Sequence, residues 1–134
     1  MENAPQKANF GCEQCWLDVA AAAWDAFDKL RVVSRLISES HFSVKVVSCS
    51  QCDQCFLYVF AEKIDWVDGE DPQYWTLLPL TAAEAASLVD QRDCLAEWKL
   101  HSLGTDRRCL RRDYLKGADP KTYWVTGLSV GPHD

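Results

Sequence analysis

Residues 16–38 read WLDVAAAAWDAFDKLRVVSRLIS, and the state of this stretch decides what the remainder of the chain packs against. Trp16, Ala20, Ala23, Phe27, Leu30, Val33 and Ile37 recur at steps of three and four, the spacing of one apolar helix face. The run of alanines at 20–23 adds helix propensity and permits close approach of a neighbour. The pattern predicts one amphipathic helix over 16–38, roughly 35 Å long at 1.5 Å per residue and able to cross a small sheet.

Downstream the period changes. Phe42, Val44 and Val46 alternate with Ser43 and Lys45, as in a half-buried strand. Residues 56–66 are rich in aromatic and β-branched side chains and predict a second strand. Asp68-Gly69-Glu70-Asp71-Pro72 marks a turn, and 74–80 returns as a third strand, with Pro79 requiring an edge position or a strand end. Thr81 and Glu84 form a capping box that opens a short helix. Cys94, Leu95, Trp98 and Leu103 predict a second helical piece ending near Gly104. Leu110, Tyr114 and Leu115 predict a third, closed by Gly117, and 121–127 reads as the last strand. The expected fold is α+β, with a polar leader over 1–10 and a single domain over 11–134. In it a long N-terminal helix packs on a four-stranded antiparallel sheet, with short helices before the last strand.

Two Cys-x-x-Cys pairs, Cys12/Cys15 and Cys49/Cys52, suit a tetrahedral four-thiolate zinc site. The second pair falls between the first two predicted strands and so occupies a hairpin tip. Asp53 after Cys52 tolerates the positive φ such a turn needs, whereas a Cys52/Cys55 pair would put Phe56 there. The first pair precedes the predicted helix, whose free amides and dipole would stabilise thiolates. Cys55, Cys94 and His101 remain possible substitutes for one ligand. Seven cysteines, an odd number, fit metal ligands plus buried thiols better than a disulfide framework.

The knuckle on its hairpin resembles the zinc ribbon over about 25 residues around Cys49 to Phe60. That resemblance implies a metal staple, and it opens an alternative role in nucleic-acid binding or a transcription complex. Arg107, Arg108, Arg111 and Arg112, read as one side of a short helix, would then meet phosphate.

Composition bounds the remaining classes. A chain of 134 residues with 48% hydrophobic content and six Trp has the material for a packed core, which excludes a disordered or collagen-like protein. No export signal and no apolar run of about 18 residues is present, so a cytoplasmic protein without membrane contact is expected. Residues 53–90 carry a net charge of −7, against −1 before them and +3 over 91–121. Such a field attracts basic proteins and makes nucleic acid an unlikely partner. No phosphate-binding glycine loop, nucleophile elbow or His-Glu-x-x-His helix is present, and Cys94 and His101 are more simply a small hydrophobe and a boundary residue than a nucleophile and base. No enzyme activity is expected.

Glu62, Asp65, Asp68, Glu70 and Asp71 flank Trp66 and Trp75, an aromatic pair inside a charged rim of the kind that anchors protein interfaces. In size, acidity and aromatic-rich layout the chain is similar to bacterial immunity proteins. That similarity implies a protein partner, a basic toxin domain whose active cleft this surface would cover.

Overall fold

The computed structural model describes residues 10–134 except 116 and 129. Six strands, β1 Leu30–Glu39, β2 Phe42–Cys49, β3 Cys55–Glu62, β4 Gln73–Pro79, β5 Arg108–Tyr114 and β6 Lys121–Thr126, form one sheet in sequence order. Every neighbouring pair is antiparallel. Two short helices accompany them, α1 Ala20–Asp25 and α2 Ala82–Asp90, with 3₁₀ segments at Ala26–Lys29 and Glu97–Ser102.

The long N-terminal helix is therefore corrected. Helix persists only over the alanine-rich part, and from Leu30 the chain is an edge strand. Val32, Val33 and Ile37 are β-branched and favour the pleated surface. Two register shifts, between Val32 and Ser34 and between Arg35 and Ile37, explain why this strand resembles a helix in sequence. The shifts break the period of two and move the inward positions from Leu30 on one face to Leu36 and Ile37 on the other, so no alternation marks the strand; Val33, part of the apparent helix face, is half exposed.

The predicted helix around Leu110 and Tyr114 is likewise a strand, β5, which raises the sheet from four strands to six together with β1. Its arginines alternate between the two faces, and each face offers them partners. Arg111 lies over Tyr74 and bonds Asp113 at 2.7 Å, while Arg108 stacks on Trp124 at 4.0 Å and Arg112 on Trp24 at 5.0 Å. The β2–β3 hairpin, the end of β4 at Pro79 and the Thr81/Glu84 capping box stand as the sequence predicts, except that β3 ends at Glu62 rather than 66 and leaves Trp66 in a turn. The short helical elements predicted before the last strand precede β5 instead: Ala82–Asp90 is the α-helix α2 and Glu97–Ser102 is 3₁₀.

Both faces of the sheet are covered. One carries Val44, Val46, Leu57, Val59, Leu78 and Cys109 against Ala85 and Leu88 of α2, with Leu100 and Leu128. The other carries Val47, Phe56, Leu77 and Leu110 against Cys15, Trp16 and Ala23. Each large aliphatic side chain fully buried in these layers stabilises the fold by about 1.5–3 kcal/mol. Gly104, at φ +67, permits the close packing of the connection into β5, since a Cβ there would sit 2.5 Å from a methyl of Leu78.

The C-terminal segment is strapped across the first face. The His133 ring stacks on Phe42 at 4.0 Å and meets the Glu97 carboxylate at 2.9 Å, while Asp134 pairs with Lys63 at 2.6 Å. Burial opposes the charged form of His133, but the Asp134 carbonyl and the Glu97 carboxylate outweigh it and raise its pKa. A raised folded-state value means that this contribution is complete below the ordinary pKa of 6.5 and is lost as pH rises through the folded value. Thermal midpoints compared across pH 6 to 9 should fall more steeply in the wild type than in His133→Phe. Parallel curves would remove the imidazolium from this account.

Candidate metal centre

Gly11 to Trp16 makes a tight turn in which the amides of Cys15 and Trp16 both donate to the Cys12 carbonyl, at 3.1 and 2.9 Å. Across from it the β2–β3 tip folds back through Asp53 N–H to Cys49 carbonyl, 2.9 Å, and Cys49 N–H to Gln54 carbonyl, 3.0 Å. Asp53 has φ 64, the only positive value at a non-glycine among the described residues, as expected for the position after Cys52.

These two turns bring the sulfurs of Cys12, Cys15, Cys49 and Cys52 within 4.8 Å of one another. Cys12 and Cys15 are 3.8 Å apart, Cys12 and Cys49 3.9 Å, and Cys15 and Cys52 3.8 Å. A tetrahedron of thiolates about 2.3 Å from a central zinc has edges of about 3.8 Å, which these three separations match. All seven cysteines are free, with no disulfide formed. Backbone amides complete the sulfurs' surroundings: Cys12 N–H points to Cys15 Sγ and Gln51 N–H to Cys49 Sγ, each at 3.3 Å.

The electrostatics of the cluster without metal are uneven. Burial pushes the Cys15 thiol up, and the Cys52 thiol rises for the same reason. Burial also acts against the Cys49 thiolate, but hydrogen bonds from the Gln51 and Cys52 amides prevail and bring its pKa down to about 7. One sulfur is thus prepared to lose its proton first.

The three substitute ligands fall outside the cluster. Cys55 pairs with Ser48 across the hairpin and packs toward the α2 face, with its Sγ directed to the Asp53 carbonyl at 3.9 Å. Cys94 lies exposed in the turn after α2, and His101 lies in the second 3₁₀ segment. The first knuckle does not cap a helix, which corrects a second expectation. α1 begins at Ala20 behind Val19, without a side-chain cap, and Trp16 instead inserts between Phe56 and Trp124 at 5.2 and 5.0 Å.

Two residues outside the cysteine pattern hold the knuckles in register. Gly11 has φ +69, and a Cβ there would lie 2.6 Å from the Trp16 Cβ and 3.0 Å from the Cys15 sulfur. Its amide donates to Gln54 Oε1 at 3.0 Å, while Gln54 Nε2 donates to the carbonyls of Cys55 and Leu80, both at 2.7 Å. Gln54 thereby ties the N-terminal turn to the hairpin and to the end of β4. Neither residue was singled out from sequence; a glycine before a Cys-x-x-Cys pair is a turn signal that could have marked Gly11, whereas a lone glutamine carries no comparable mark. Gln54→Ala should weaken metal affinity about 10- to 100-fold in a competition titration against a chromogenic chelator, and an unchanged affinity would make this bridge incidental.

The acidic segment lies elsewhere. Asp65 organises its loop by accepting from the Val67 and Asp68 amides, both at 3.1 Å, and Asp71 accepts from the Asp65 amide at 2.7 Å. Glu62 is half-buried between His41 and Gln73. Trp66 and Val67 are 86% and 90% exposed at the tip, beside exposed Asp68 and Glu70. Trp75 does not join them: it lies on the sheet against Phe60 at 5.5 Å and Trp24 at 5.8 Å. The four arginines proposed for phosphate do not share a face. Arg107 and Arg111 are buried, Arg107 gripping Glu84 at 2.6 and 3.1 Å, and the other two are stacked on tryptophans. No helix among the described residues is long and apolar enough to cross a membrane.

Comparison with protein-family models, with curated proteins and with solved structures gives no match.

Proposed function

We propose that this chain is a zinc-stapled protein whose work is to bind a basic protein partner. An immunity protein that covers the active cleft of a cognate toxin domain is the biological class it suits best. The observation that carries the reading is the 63–72 loop, which presents Trp66 and Val67 to solvent amid Asp65, Asp68, Glu70 and Asp71. Exposed apolar side chains inside a ring of like charge are costly to keep unless something covers them, and tryptophan is enriched among residues that dominate binding energy. The acidic surround speeds encounter with a cationic partner and rejects anionic ones. Zinc is the natural occupant of the four-thiolate site, where it holds residues 12–15 to the β2–β3 tip; the binding loop lies at the far end of β3, so the ion supports the fold rather than the contact.

The nucleic-acid alternative has lost its main support, because the arginines it relied on are engaged by Glu84, Asp113 and tryptophan rings. A photo-crosslinking side chain at position 67, introduced in the cells of origin, tests the protein-binding reading. It should trap a basic protein whose association rate falls about tenfold between 50 and 200 mM salt. A control at Arg35, on the edge strand β1, should trap nothing. Identical adducts from both positions, or none from position 67, would overturn the proposal.

A further inference from the structure

The N-terminal segment covers only part of its face of the sheet. Beyond the rows that bury Phe56, Leu77 and Leu110 lie two more on that face, Phe60–Trp75–Arg112–Thr122 and Glu62–Gln73–Tyr114. Phe60, Trp75 and Arg112 are only partly buried, and Tyr114 is exposed. The outer row borders an open cavity of about 570 Å³ between the 63–72 loop and the turn after β5. Glu62, Glu70, Asp71 and Asp119 line it together with Gln73 and Tyr114.

We propose that this cavity seats an extended segment of the partner bearing arginine or lysine. Its cationic side chain enters between Glu70 and Asp119, and a neighbouring apolar side chain lies against the exposed Tyr114 and Leu115 at the cavity wall. This deepens the protein-binding reading and rests on it. Charge complementarity selects the occupant: four carboxylates line one opening, of which Glu62 is held by His41 and Gln73 and Asp71 by the Asp65 amide. A guanidinium, planar and able to meet two carboxylates through separate N–H groups, matches this lining better than an ammonium. The cavity has the size of a small-ligand pocket, larger than one side chain needs, and so admits the backbone that carries it. Trp66 and Val67 extend the apolar contact along the same loop.

The probe is the capped peptide acetyl-Gly-Arg-Leu-Arg-Gly-amide, titrated into the metal-loaded protein at low salt and followed through backbone amide resonances. Saturable shifts are expected at Glu70, Gln73, Tyr114 and Asp119, with Kd about 0.1–1 mM. The double variant Glu70→Lys/Asp119→Lys should bind at least about tenfold more weakly, and a peptide with both arginines replaced by glutamate should not bind. Both positions are exposed, so the variant retains the fold, which its own spectrum verifies; Asp71 is left intact because it holds the loop. Absence of saturation below about 5 mM, shifts centred elsewhere, or equal binding by the double variant would each overturn the assignment. The position-67 crosslink separates the two levels. If it forms undiminished in the double variant, the cavity is wrong and partner binding stands; if it never forms, the wider reading fails as well.

Discussion

Cys15→Ser is expected to abolish stoichiometric metal binding and to lower the thermal midpoint by roughly 15 °C. Cys15 is the most deeply buried of the four ligands, 2% exposed, and its sulfur lies 3.8 Å from both Cys12 and Cys52. Serine offers a poorer donor for a thiophilic ion, and three remaining thiolates leave the site open to water. The loss reaches stability because the ion joins segments that share few other contacts: residues 10–16 reach the hairpin mainly through the sulfurs, Gln54 and the Trp16 ring. Loss of a structural metal belongs among the largest single-site effects, about 4 kcal/mol or more. Elemental analysis and differential scanning calorimetry on Cys15→Ser beside Cys55→Ser would check it. The second variant should keep one ion per chain, since Cys55 faces the opposite side of the sheet. Full metal content in Cys15→Ser would mean that the four sulfurs are not the site.

Glu84→Ala should cost about 3–4 kcal/mol through two separate losses. Glu84 closes the capping box of α2 with Thr81, and it also receives the Arg107 guanidinium in two bonds of 2.6 and 3.1 Å. The Arg107 side chain is 6% exposed, so truncating its partner leaves a buried cation with Asp106, the Pro79 carbonyl and the Phe10 ring. Removing one member of a buried pair is far more damaging than replacing both. Glu84→Gln should lie between the two, because it keeps the cap and one acceptor. Burial pushes the Glu84 carboxyl up, but Arg107 and the Thr81 amide overcome this and leave it below the ordinary carboxylate range. A depressed value makes its contribution complete above the ordinary value of 4.5 and lost as pH falls through the lower folded one. Urea midpoints for wild type and Glu84→Ala should therefore converge at acid pH. A constant gap would place the effect in the cap alone.

The four-cysteine cluster was legible because the spacing of two Cys-x-x-Cys turns is what a thiolate metal site requires, and Asp53 distinguished Cys52 from Cys55 as the second knuckle's end. The β2–β3 hairpin and the start of α2 were legible for the same kind of reason, a strict period of two and a paired cap. The long helix was misread because two bulges disguise β1, and bulges depend on the partner strand that the local sequence does not contain. β5 escaped for a related reason. A strand carrying Arg108, Arg111 and Arg112 seems too polar to be central until Trp124, Tyr74 and Trp24 arrive from other strands and α1 to receive those guanidinium groups. The separation of Trp75 from Trp66 likewise needs the sheet, since nine positions of chain place one in a loop and the other on β4.

All four sulfur donors precede residue 53, whereas β3 to β6 and α2 follow it. During translation the ion can therefore be captured once the hairpin tip has left the ribosome, before half of the sheet exists. A nascent chain that acquires its staple early carries a fixed β1–β2 template onto which each later strand adds beside its immediate predecessor. Metal supply at the moment of synthesis, rather than in the finished protein, would then govern how much of the product reaches its folded form.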